Sequence, residues 1–63
     1  MKCHDAQILF TEISDKQGTG EFVPSKWEMD FLNSISVLID EGRNLSDKQG
    51  ACLEKIYRKS QGG

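Results

Sequence analysis

The segment that decides the fold runs from Ser25 to Asp40 and reads SKWEMDFLNSISVLID. Ser25 followed three residues later by Glu28 is a capping box, in which both side chains satisfy free backbone N–H groups at a helix start. Apolar residues then recur at helical spacing and form one broad face: Trp27, Phe31, Leu32, Ile35, Leu38 and Ile39. The pattern predicts an amphipathic helix over 26–41, ended by Gly42.

A second helix with the same start signal follows a short turn at Arg43–Leu45. Ser46 and Gln49 form another capping box. The apolar stripe behind them consists of Cys52, Leu53, Ile56 and Tyr57. We therefore expect a helix over 47–59 and a frayed tail over 60–63. Gly50 weakens this helix by about 1 kcal/mol relative to Ala, and a glycine there favours close approach of another helix in a helical hairpin.

The N-terminal third allows two interpretations. Ala6, Leu9, Phe10 and Ile13 have the spacing of one helical face, which predicts a helix over 5–17 with Asp5 as its cap and Gly18 at its end. The alternative is a β-hairpin, since residues 8–13 are rich in β-formers and the glycines that follow could turn the chain back at 22–23. We prefer the helix, so the sequence predicts an all-α, three-helix domain with a central helical hairpin.

Length and composition argue against an enzyme. A chain of 63 residues with 37% apolar residues makes one small domain with a thin stability margin and no room for a deep pocket. It shows no credible Ser-His-Asp arrangement, phosphate-binding glycine loop or cofactor motif. No stretch has the length needed to span a bilayer, and no signal peptide is evident, so we expect a cytoplasmic protein.

The cysteines do not predict a metal site or a disulfide. Cys3, His4 and Cys52 offer three ligands, whereas a structural zinc site normally has four. Because nothing marks the chain as secreted, we expect both thiols to be reduced, with Cys52 a small core residue.

Charge is unevenly distributed along the chain. Residues 21–42 carry five acidic residues and one lysine, a net of −4, and residues 43–63 carry five basic and two acidic residues, a net of +3. The acidic set that could meet a basic partner is Glu28, Asp30, Asp40 and Glu41. The basic set that could touch phosphates is Lys48, Lys55, Arg58 and Lys59. The simpler interpretation is that the two helices complement each other's charge within the fold.

The pentapeptide Ser-Asp-Lys-Gln-Gly occurs twice, at 14–18 and at 46–50. In the predicted elements one copy ends a helix and the other begins one. A match of five residues is too short to establish duplication, and we attribute it to good capping chemistry.

The pattern WExxFLxSI, from Trp27, followed by Leu45-Ser46-Asp47-Lys48-Gln49 and LxKI from Leu53, resembles a helical-hairpin segment of small phage-encoded proteins. Similar segments occur at the ends of phage replication and repair proteins. The resemblance covers about residues 27–59 and implies a phage or mobile-element origin and a role near nucleic-acid metabolism. It carries over no catalytic residue.

Three functional hypotheses follow. The first is a non-enzymatic protein-binding module, an accessory protein or inhibitor that acts on a host or phage protein or a nucleoprotein, including host defence, through its acidic face. The second is direct nucleic-acid binding by the last helix, which the net charge of −2 disfavours. The third is a structural subunit that completes its core by forming a homodimer.

Overall fold

The computed structural model describes residues 1–62 and contains three helices: α1 (Cys3–Thr19), α2 (Lys26–Asp40) and α3 (Asp47–Ser60). Within these residues there is no strand, and the predicted all-α class is confirmed. The alternative β-hairpin is wrong. Residues 8–13 lie inside α1, and Phe22 is buried in the core instead of pairing with a strand.

The ends of α1 differ from the prediction. The helix begins at Cys3, before Asp5, and runs through Gly18 to Thr19. Its first turn is capped by a distant residue, because the backbone N–H of Cys3 donates to Oδ1 of Asn44 at 2.9 Å. The residue that follows the helix, Gly20, is its C-cap and has a positive φ of 80° that an L side chain rarely adopts.

The core is built by all three helices and by both connectors. Its buried apolar residues are Ala6, Ile13, Phe22, Leu32, Ile35, Leu45, Leu53 and Ile56. The helix α3 packs most extensively on α1 and least on α2. The two helices of the predicted hairpin therefore make the smallest of the three helix–helix contacts. Trp27, which the sequence pattern places on the apolar face, is 56% exposed. Cys52 is half-buried, outside the main core.

The end of α3 is ordered further than expected. Ser60 is the last helical residue, is buried, and donates its hydroxyl to the carbonyl of Tyr57 at 2.6 Å. The predicted fraying therefore does not begin at residue 60, and Gly63 lies outside the described residues. None of the described helices combines the length and the apolar character needed to cross a membrane.

Met1 is held by two backbone hydrogen bonds to Leu45, in the loop just before α3. The Met1 nitrogen donates to the Leu45 carbonyl at 2.9 Å, and the Leu45 N–H donates back to the Met1 carbonyl at 2.8 Å. Gly50 is buried beneath this pair, and a Cβ added there would stand 2.9 Å from the Met1 Cβ. Gly50 thus makes room for Met1, not for another helix as the sequence suggested.

Gly18 and Gly50 are the last residues of the two Ser-Asp-Lys-Gln-Gly copies, so they form a matched pair for substitution. Gly50→Ala should lower the free energy of unfolding by about 1–3 kcal/mol, because the crowding against Met1 exceeds the gain in helix propensity. Gly18→Ala should raise it by up to about 1 kcal/mol, since a Cβ there meets nothing within 4 Å. Urea unfolding followed by far-ultraviolet circular dichroism measures both, and equal shifts would contradict the packing role of Gly50.

Candidate functional site

An open groove lies between the start of α2 and the second half of α3. It has a volume of about 380 Å³ and is lined by Trp27, Glu28, Lys55, Ile56, Arg58 and Lys59. The half-exposed indole of Trp27 is its main apolar side chain, Ile56 lies at its floor but is only 1% exposed, and three cationic side chains stand around them. The groove exists because α2 and α3 touch only over a small area.

The capping box explains why Trp27 is exposed. Ser25 is the N-cap of α2, so Trp27 and Glu28 are neighbours in the first turn and point about 100° apart. The Glu28 side chain turns inward toward the N-cap, which leaves Trp27 at the outer edge of the apolar face. The helical periodicity of the sequence placed Trp27 among the core residues. Trp27 lies at one edge of the apolar face of α2, and that edge position is the signal in the sequence that could have identified it as exposed.

Glu28 is a structural residue. It is 2% exposed, and its Oε1 accepts the backbone N–H of Ser25 at 2.8 Å while its Oε2 lies 3.4 Å from Nζ of Lys59. The hydrogen bond from the Ser25 backbone, aided by Lys59 and opposed by burial, lowers the pKa of this carboxyl. The expectation that Glu28 belongs to an exposed acidic face is therefore not met, because its charge is used to join α2 to α3.

The predicted basic residues divide into two groups. Lys55, Arg58 and Lys59 all line the groove, whereas Lys48 lies in the first turn of α3 away from it. Lys59 is paired with Glu28 but its side chain stays 61% exposed, so its head can still meet a bound group. The rim of the groove is cationic as a result.

The remaining acidic residues do not form one patch. Asp30 is exposed near the start of α2, and Asp40 and Glu41 are exposed at its end, about 15 Å along the helix. Glu41 approaches Arg43 at 3.8 Å, but both side chains are more than half exposed, so this pair adds little stability. The acidic set is thus divided between the two ends of α2.

Other chemistry-bearing residues stay apart. Both cysteines are free and half-buried, and the Cys3 thiol donates to the Ile39 carbonyl at 3.6 Å. Across residues 1–62 no three His, Cys, Asp or Glu side chains come close enough to hold a metal ion. His4 lies on the exposed side of α1, beside Ile8 in a shallow depression.

Comparison with known proteins adds no relative, since neither a family model, nor a curated protein, nor a solved structure matches this chain.

The buried carboxylate gives the fold a defined acid sensitivity. Glu28→Ala should lower the free energy of unfolding by about 1–3 kcal/mol, because the Ser25 N–H loses its partner. Glu28→Gln should lower the free energy of unfolding less, since the amide oxygen of glutamine still accepts this hydrogen bond. Loss of the ion pair with Lys59 adds little in either variant, because the Lys59 side chain is largely solvated.

The pH dependence of the unfolding free energy of Glu28→Gln tests the contribution of the negative charge of Glu28. Because the folded pKa lies below the usual value of 4.5, ionised Glu28 stabilises the fold above that pH, and the contribution is lost as pH falls through the lowered pKa. The stability gap between the native protein and Glu28→Gln should therefore shrink on acidification, measured by urea unfolding across the acid range. Asp30→Asn, at an exposed carboxylate of the same helix, is the control, and a gap that does not change with pH would contradict this role.

Proposed function

We propose that this chain is a non-enzymatic protein-binding module whose docking surface is the groove between α2 and α3. The observation that carries the proposal is the half-exposed Trp27, the only tryptophan of the chain, set in an apolar groove with a cationic rim. The partner chemistry that fits is an acidic amphipathic segment of another protein.

The composition of the groove supports this choice. Tryptophan and arginine are the residue types that most often dominate binding energy at protein interfaces, and both line this small surface. An amphipathic helix laid in the groove would bury apolar residues against the exposed indole of Trp27. Its carboxylates would meet Lys55 and Arg58 at the rim, where opposite charge speeds association and selects partners.

The biological setting is a second part of the proposal and rests only on the resemblance of residues 27–59 to phage helical hairpins. On that basis the module is an accessory protein or inhibitor carried by a phage or mobile element, and its target is a host protein or nucleoprotein. The exposed Asp30, Asp40 and Glu41 offer a secondary surface for a basic partner.

Nucleic-acid binding is the alternative, and one observation favours it. A base could stack on Trp27 while Lys55 and Arg58 contact phosphates, which is the arrangement of single-strand binders. The net charge of −2 and the use of Lys59 in an internal ion pair weigh against it.

The test is affinity capture by the tagged protein from a bacterial lysate, with and without nuclease, read by mass spectrometry. We expect a stoichiometric protein that survives nuclease and is lost with Trp27→Ala. Ile8→Ala, a matched exposed apolar residue on α1 at 49% exposure, should retain it. Capture that nuclease abolishes would instead favour nucleic acid, and capture indifferent to Trp27 would remove the groove from the proposal.

A further inference from the structure

We propose that a second copy of this chain occupies the groove when no other partner does, through antiparallel pairing of the two α2 helices. Each acidic α2 end would then lie at the cationic rim of the other copy. This inference goes beyond the proposed function, although it uses the same groove, and it can be tested with the purified protein alone.

An exposed stripe runs the full length of α2. Positions 27, 34 and 41 are seven residues apart and lie on one side of the helix, with 31 and 38 beside them. Trp27, Ser34 and Glu41 are exposed, and Phe31 and Leu38 are half-buried. The stripe is therefore partly apolar, and neither α1 nor α3 covers it completely.

The stripe is symmetric about Ser34. This small residue lies seven positions, about 10 Å, from both Trp27 and Glu41. Two antiparallel α2 helices that cross at Ser34 would bring Trp27 of each copy beside Glu41 of the other, and Phe31 beside Leu38, which is half-buried. A twofold contact of this kind uses the same patch on both copies and closes on itself.

Charge complementarity points to the second copy as occupant. The last turn of α2 carries no basic residue and is followed by Glu41, so Asp40 and Glu41 stand at the negative end of the helix dipole. That placement is unfavourable in the isolated chain, and Arg43, 3.8 Å from Glu41, offsets it little because both side chains are more than half exposed. It becomes favourable when Lys55 and Arg58 of the second copy face Glu41, and the twofold symmetry makes the same contact at both ends.

A small dimer would need only part of the surface of the chain. A specific interface buries at least about 1,200 Å² in total, or about 600 Å² per copy. That is about one-seventh of the 4309 Å² accessible surface of the chain, and α2 is about 22 Å long. We therefore expect reversible association that weakens as salt increases.

Sedimentation equilibrium of the full chain over a wide concentration range is the decisive experiment. We expect the mass to rise toward twice that of the monomer, with a Kd that increases with salt. Trp27→Ala and Glu41→Lys should each raise the Kd about tenfold or more. Asp15→Lys, which makes the same charge change on an exposed site of α1, should leave the Kd unchanged.

Two further readouts separate lost pairing from lost folding. Glu41→Lys should raise the thermal midpoint at dilute, monomeric concentration, because it removes a carboxylate from the negative end of α2, even as it weakens the dimer. Lys55→Glu should also weaken the dimer, and the double variant Lys55→Glu/Glu41→Lys should restore it.

A protein that stays monomeric at every concentration, or a dimer indifferent to both Trp27→Ala and Glu41→Lys, would overturn the inference. A double variant as weak as either single variant would overturn it as well. Capture of a Trp27-dependent partner from the lysate by a strictly monomeric chain would leave the proposed function standing while this inference fails.

Discussion

The buried carboxylate of Glu28 is the constraint on which the rest of the arrangement depends. One oxygen accepts the backbone N–H of Ser25, the N-cap of α2, and the other lies 3.4 Å from Nζ of Lys59 near the end of α3. Leu32 and Ile35 of α2 share one core with Leu53 and Ile56 of α3, but the direct contact between these two helices is smaller than the contact of either with α1. The groove lies beside this small contact, and the inward turn of Glu28 leaves Trp27, its neighbour in the first turn of α2, facing solvent.

A chain this short fixes its helices by long-range contacts to loops as well as by packing between helices. Phe22 and Leu45 come from the two connectors and are buried in the core, so neither connector is a passive link. The Met1–Leu45 backbone pair and the Asn44 cap on Cys3 tie the start of α1 to the loop before α3. This agrees with the general difficulty of stabilising small domains, in which each segment must contribute to burial or hydrogen bonding.

Local rules were sufficient for the parts of the fold that local chemistry determines. The starts of α2 and α3 follow from their capping boxes, because the hydrogen bonds join residues only three apart. The start of α1 was misplaced because its cap is Asn44, 41 residues away, which no local pattern can show. For the site, sequence brought out Lys55, Arg58 and Lys59 as a cationic group, but it assigned Glu28 to the surface and Trp27 to the core. Both errors have one cause. Helical periodicity does not show which of the adjacent residues in the first turn, Trp27 or Glu28, turns inward and which one stays exposed.

The exposure of Trp27 also determines what tryptophan fluorescence can report about this protein. Since the chain has a single indole and more than half of it already meets solvent in the folded state, its emission should change little when the core melts. It should shift strongly toward shorter wavelength when the ring is covered. The intrinsic fluorescence should therefore respond to any molecule that covers Trp27, and folding has to be followed by a signal that comes from the backbone.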